Sequence, residues 1–356
     1  MSLNPLRPTA SAARNLSLLL RHAPRSTAQF HNNIINRAHS TSSSSSVSPD
    51  ELTHFSSLAS SWWDPLGPSR VLHLMNPLRH EFIAECLAES FPKQKIQTST
   101  STSNTNIDGH AQAEDQDQGL TYLDIGCGGG IFAESLARTI PSQPSSQSLS
   151  PVTHARSILA IDPSPTMIKI ATNHARADPH VYSHLLSKAF RYENTTLEAL
   201  VAATPTPNNT PTPPSPPSPP EKFNIITLFE VLEHVDPNST SSPRSFLHQA
   251  LSLLQPGGWL IGSTIARTWP AYVVNQVIAE APWPIGVVPR GTHEWGKFVN
   301  PEELRGWVGA GAGAGAGNEK RRWKCVGAMY FPGVGWRMVP GAERWGNYFW
   351  AVQRGF

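Results

Sequence analysis

The fold is decided at Leu123-Asp124-Ile125-Gly126-Cys127-Gly128-Gly129-Gly130. A short apolar run, Thr121 to Ile125, leads directly into glycines at 126, 128 and 130, and a helical pattern follows from Gly130 to Ile140. Glycine takes positive φ without steric cost and lets a ligand approach the backbone closely. The spacing is G-x-G-x-G and not the dinucleotide G-x-G-x-x-G, because Ile stands at 131. A strand, a Gly-rich turn and a helix in that order place a crevice at the strand's carboxyl end, where open α/β sheets bind ligands. Asp124 stands just before the turn, and Asp162 closes the next apolar run, Leu159-Ala160-Ile161-Asp162. Asp162 lies 36 residues after Gly126, and subtracting the 17 residues of Pro141–Ser157 leaves close to the ~20 at which an acidic residue holds ribose hydroxyls. The other role open to Asp162 is that of a helix cap ahead of Pro163 and Ser164.

Outward from the turn, strand and helix patterns alternate. Strands are expected at Ser157–Ile161, Phe223–Leu228 and Gly258–Thr264, and helices at Asn76–Ser90, Thr166–Ala177 and Pro243–Leu254. Alternation of this kind predicts a largely parallel sheet with helices on both faces. Two late strands, Arg321–Phe331 and Asn347–Gln353, follow one another without a helix and predict an antiparallel edge.

The 356 residues include 33 Pro and 25 Gly, more than one compact domain uses. The excess gathers in segments whose composition cannot bury enough apolar area to offset ordering entropy: 93–119, 141–157, 203–221 with its P-P-S-P-P-S-P-P run, and the Gly-Ala alternation at 309–318. Residues 1–49 hold Arg7, Arg14, Arg21, Arg25 and Arg37 with no Asp or Glu, and end in a serine run, the composition of a mitochondrial or other organellar transit peptide. Removing these segments leaves roughly 230 residues for a single domain over 50–356. Three Cys exclude a disulfide scaffold, no apolar run of ~18 residues predicts a spanning helix, and a net charge of +2 gives no signature for nucleic acid.

The glycine turn with Asp162, and Pro256-Gly257-Gly258 before a strand, resembles the class I S-adenosylmethionine-dependent methyltransferases. Longer stretches narrow the likeness: Ser61-Trp62-Trp63-Asp64-Pro65, Asn76-Pro77-Leu78-Arg79, Phe229-Glu230-Val231-Leu232-Glu233-His234-Val235, Ser263-Thr264-Ile265-Ala266-Arg267-Thr268 and Gly291-Thr292-His293-Glu294-Trp295. Together they resemble the ubiquinone-biosynthesis O-methyltransferases in their mitochondrial form. The resemblance implies a Rossmann-like, seven-stranded, mostly parallel sheet. It implies methylation of ring hydroxyls of 3,4-dihydroxy-5-polyprenylbenzoate and of demethylubiquinol. It also implies a peripheral location on the matrix side of the mitochondrial inner membrane, with other ubiquinone-pathway proteins as partners. A methyltransferase of another small phenol, and a non-catalytic scaffold on the same fold, are the competing readings.

For the cofactor, the resemblance assigns Arg79, Gly126, Asp162 and Phe229, and the turn itself adds Asp124, Gly128 and Gly130. A guanidinium such as that of Arg79 can clamp a carboxylate bidentately. Glu230, Glu233 and His234 match the family's magnesium-site and catalytic positions. Residues at i, i+3 and i+4 share one side of a helical turn, and Mg²⁺ takes oxygen ligands. His234 is equally suited to be a general base. Methyl transfer needs positioning more than covalent chemistry, so no nucleophile is expected, and Cys86, Cys127 and Cys325 read as packing residues. Nine of the eleven Trp lie at or beyond Trp259, and the apolar stretch Trp269–Trp295 suits a membrane–water interface or a substrate lid.

Overall fold

The computed structural model describes residues 46–67, 69–90, 119–141, 152–203, 222–236, 242–280, 294–309, 321–331 and 333–355. The transit-peptide reading and most of each composition-biased segment therefore lie outside the described residues. Two boundaries move. The buried Ser46 accepts a hydrogen bond from the Asp236 amide (2.9 Å), so the folded part begins ahead of residue 50. Thr153 to Ser157 are also folded: Thr153 accepts from the Tyr122 hydroxyl (2.6 Å), and the second strand starts at Ala155.

In chain order the helices are α1 (Pro49–Leu58), α2 (Arg70–Ser90), α3 (Ile131–Ala137), α4 (Pro165–Ala175), α5 (Pro179–Leu186), α6 (Leu197–Ala202), α7 (Pro243–Ser252), α8 (Trp269–Tyr272) and α9 (Pro301–Gly309). The strands are β1 (Leu120–Ile125), β2 (Ala155–Asp162), β3 (Phe190–Asn194), β4 (Phe223–Phe229), β5 (Leu254–Ile265), β6 (Trp323–Phe331), β7 (Gly335–Val339) and β8 (Asn347–Gln353). Four helices start with a short polar cap followed directly by a proline. Ser48, Ser164, Asp178 and Ser242 each accept from amides of the first turn, and Pro49, Pro165, Pro179 and Pro243 follow them. The cap satisfies a donor that the helix leaves open, and proline fixes φ where no amide is needed.

The sheet order is β3-β2-β1-β4-β5-β8-β6-β7. β3 through β5 are parallel, and β8, β6 and β7 pair antiparallel. The sheet has eight strands where seven are expected, because Gly335–Val339 adds a strand outside β6. Both faces are covered, and successive residues divide between them. Tyr122, Trp259 and Phe349 join one core with Phe82 of α2, while Leu123, Leu260 and Trp350 join the other with Phe246 of α7 and Leu304 of α9. Strand order reverses between β1 and β4, so the crevice lies where Ile125, Asp162 and Phe229 end their strands.

Candidate functional site

The turn after β1 is built as its glycines imply. Gly126, Gly128 and Gly130 have φ of +70°, +52° and +89°, a region open to glycine at little cost. The first amides of the turn face the neighbouring strand: Gly126 and Cys127 donate to the Ile161 carbonyl, and Gly128 donates to Asp162 Oδ2 at 2.9 Å, while Gly130 donates back to the Cys127 carbonyl. Asp162 Oδ1 accepts from the Ser164 amide at 2.8 Å, so this carboxylate ties the turn to the start of α4. Ser164 itself caps α4, so the cap role considered for Asp162 belongs to its neighbour. Burial pushes the Asp162 carboxyl up to about 6, against the two amides that favour its charged form.

Arg79, on α2, is 3% exposed. Its Nη1 donates to Asn76 Oδ1 (3.0 Å), and Asn76 in turn donates to the Ile131 carbonyl (3.0 Å) at the start of α3. The guanidinium lies over the rings of Phe229 (5.1 Å) and Phe132 (5.9 Å). Burial lowers its pKa to about 10, with Glu230 and Asp124 opposing. Its Nε has no partner. Asp124 shows the complementary vacancy in hydrogen bonding: Oδ1 accepts from Thr227 (2.6 Å), and Oδ2 is buried without a donor. Burial raises this carboxyl to about 7, although Thr227 and Arg79 favour its charge. A buried donor and a buried acceptor left open beside a glycine turn fit the carboxylate and ammonium of an α-amino acid. Phe229 contributes an apolar and cation–π surface beside Arg79 and Phe132.

Glu230, Glu233 and His234 do not form the predicted helical turn. Glu230 has φ +56°, which stops the strand abruptly, and a 3₁₀ turn over Leu232–His234 follows. The three side chains then go to separate partners. Glu230 accepts from Ser263 Oγ (2.6 Å) and Asn347 Nδ2 (3.0 Å), Glu233 accepts from Thr264 Oγ1 (2.7 Å), and His234 Nδ1 faces Glu51 Oε2 (3.1 Å). Among the described residues no group of three or more His, Cys, Asp and Glu side chains is gathered to hold a metal ion. The Mg²⁺ triad Glu230, Glu233 and His234 therefore does not fit this arrangement, because the left-handed Glu230 turns its carboxylate toward β5 and β8.

His234 sits among carboxylates. Burial disfavours its charged form, but the Glu51 hydrogen bond and the charges of Glu233, Glu51 and Glu230 outweigh it and raise its pKa. Glu51 is held at about 2: burial acts upward, and His234 and Lys297 overcome it. Lys297 Nζ donates to Glu51 Oε1 at 2.9 Å, and Phe55 meets the His234 ring edge-on at 4.8 Å. Burial and the Glu230 carboxylate raise the Glu233 carboxyl. The sequence reading missed Glu51, Lys297, Thr227 and Asn347, which come from segments distant in the chain. Cys86 and Cys127 are buried thiols, each with its pKa pushed up by burial, and Cys325 is pushed up to about 12.

A family model described as a methyltransferase domain matches residues 102–313. The chain is 31% identical over 328 residues to the mitochondrial ubiquinone biosynthesis O-methyltransferase of Candida albicans, covering 87% of this chain and 86% of that protein. It is 30% identical to the ubiquinone biosynthesis O-methyltransferase of Methylobacterium nodulans, covering 87% and 96% respectively. To the mitochondrial ubiquinone biosynthesis O-methyltransferase of Arabidopsis thaliana it is 32% identical, covering 76% of this chain and 65% of the plant protein.

Proposed function

Because this chain belongs to the ubiquinone biosynthesis O-methyltransferase family, we propose that it methylates ring hydroxyls of a polyprenylated dihydroxybenzoate and of demethylubiquinol, with S-adenosylmethionine as donor and His234 as the base. The observation that carries the donor assignment is the unpaired polar set around the glycine turn, Arg79 Nε and Asp124 Oδ2, beside an intact Asp162. S-Adenosylmethionine supplies an activated sulfonium methyl when bound. Arg79 and Asp124 would hold its amino-acid end, and Asp162 its ribose.

The chain's own contribution to chemistry is proton removal and charge control. His234 presents Nδ1 to Glu51, which leaves Nε2 for the acceptor hydroxyl. Taking that proton makes an imidazolium, which Glu51, Glu233 and Glu230 stabilise by charge. A neutral imidazole is the competent form, so the rate rises with pH through a value above 6.5.

The mitochondrial location rests on the Arg-rich, acid-free N-terminus and on two relatives named as mitochondrial. Contact with the matrix face of the inner membrane is supported by Trp269, 74% exposed and stacked on Tyr272. Among the described residues no helix is long and apolar enough to cross a membrane. The family further suggests association with other ubiquinone-pathway proteins. The test is transfer of labelled methyl from S-adenosylmethionine to a short-prenyl dihydroxybenzoate. Wild type is expected to turn over, and Asp162→Ala to lose about 100-fold in cofactor affinity, two hydroxyl contacts to a charged group being removed. Full activity in Asp162→Ala would overturn the cofactor site. Turnover by neither protein, with the fold intact, would favour the scaffold reading.

A further inference from the structure

The two tryptophans ahead of α2 meet at one peptide, that of Gly129. Trp62 is 7% exposed, and its indole packs against the glycine turn. A Cβ built on Gly129 would fall 2.3 Å from Trp62 Cδ1 and 2.5 Å from its Nε1, and one on Gly128 would fall 3.1 Å from its Cζ2. Position 129 is therefore glycine for a reason separate from backbone conformation: its three neighbouring glycines take positive φ, whereas a side chain at 129 would overlap the indole outright. Trp63 holds the other end of the same residue, donating Nε1–H to the Gly129 carbonyl at 2.9 Å. Trp63 is itself fixed by stacking on His174 (3.4 Å, 3°), whose Nδ1 pairs with the fully buried Glu134 at 2.7 Å.

One indole is thus hydrogen-bonded and the other is not. The Nε1–H of Trp62 is buried and has no acceptor, whereas buried indole N–H groups usually find one. It joins three other open polar atoms around the turn: Arg79 Nε, Asp124 Oδ2 and the Tyr192 hydroxyl, which a Cβ on Gly130 would meet at 2.3 Å. Two of the four are N–H donors, one is a carboxylate acceptor and one is a hydroxyl that can do either, and an α-amino acid can use the first three: a carboxylate takes two donors and an ammonium needs an acceptor.

We propose that Trp62 is a further cofactor-contacting residue, donating its indole N–H to the methionine carboxylate of S-adenosylmethionine alongside Arg79, and that Trp63 is a positioning residue which holds Gly129 and the Trp62 ring in register. The proposal rests on the cofactor reading above and adds to it a residue and the ligand group it reads. It also gives the W-W pair one function divided between two roles.

The test compares S-adenosylmethionine with its decarboxylated form, which lacks only the carboxylate. Titration calorimetry on wild type and Trp62→Phe is expected to show about a tenfold or greater loss of affinity for S-adenosylmethionine, the scale of a hydrogen bond to a charged group. Decarboxylated cofactor should bind both proteins equally. In proton NMR, the Trp62 indole N–H resonance, assigned by its absence in Trp62→Phe, should move downfield with S-adenosylmethionine and stay in place with the decarboxylated form. Gly129→Ala, which pushes the indole off the turn, should repeat the affinity loss if Trp62→Phe does not fold. Equal loss for both ligands, or no loss for either, would overturn the proposal. Failure of wild type to bind S-adenosylmethionine at all would instead overturn the function reading.

Discussion

At the residue scale, the site is dominated by carboxyl groups that the fold makes reluctant to ionise. Asp124 is raised to about 7 and Asp162 to about 6, in both cases chiefly by burial. In the unfolded chain each titrates near 3.8, so the folded state binds protons more tightly. The resulting stabilisation is complete below about pH 4 and is lost as pH rises through 6 and 7. The ligand-free protein should therefore weaken between pH 5 and 8, with a slope approaching ~1.4 kcal/mol per pH unit for each proton released. Asp124→Asn should flatten the upper part of that slope in urea-unfolding midpoints taken at pH 5, 6, 7 and 8, and an unchanged slope would sink the assignment. An ammonium placed against Asp124 Oδ2 favours the charged form, so cofactor protection should be larger at pH 8 than at pH 5. This part of the site was legible in the sequence because it is local: the glycines, Asp124 and Asp162 stand at the ends of adjacent strands. Glu230, Glu233 and His234 were legible as a group but not as a geometry. One left-handed residue, Glu230 at φ +56°, converts an expected helical face into three divergent side chains.

At the element scale, α1 is the feature sequence reading did not reach. It lies beside the Arg- and Ser-rich segment, and none of its residues is buried, so no apolar periodicity marks it. Its local signals are a Ser48 cap, Pro49, and Asp50 and Glu51 in the first turn. What docks it is tertiary: Glu51 bridges His234 and Lys297, and Phe55 sets its edge against His234 and Trp62. Glu51→Ala should therefore loosen α1, seen as faster amide exchange over Pro49–Leu58. It should lower kcat/KM for the acceptor by about tenfold or more, the order of one lost hydrogen bond to a charged group, and leave cofactor affinity within about twofold. The same substitution removes groups that hold the His234 pKa up, so the acid limb of the rate profile should move to lower pH. A limb that stays in place would show that His234 is not the titrating base.

At the scale of the whole molecule, the parallel strands that the sequence revealed are those buried on both faces. β1, β2, β4 and β5 carry near-continuous apolar runs because helices cover each side. β3 and β7 were missed for the opposite reason. β3 buries only Phe190 and β7 only Trp336, so as sheet edges they lack the pattern that identifies a strand. β8 has the reverse relation to chain position: it comes last in sequence, yet it lies between β5 and β6 with every residue buried. Phe349 enters one core and Trp350 the other, and Asn347 reaches Glu230 at the site. The last strand thus closes both cores and one wall of the crevice together. Trp350→Ala should cost about 3–5 kcal/mol, as for other large aromatic deletions from a packed core, with far-UV circular dichroism and tryptophan fluorescence losing signal in one coincident transition. A chain ended at Gly346 should fail to fold. It would leave the β5 and β6 edges unpaired and both apolar faces open, a state that exposes strand edges to aggregation. A soluble, cofactor-binding product of that truncation would show instead that the parallel half of the sheet folds alone.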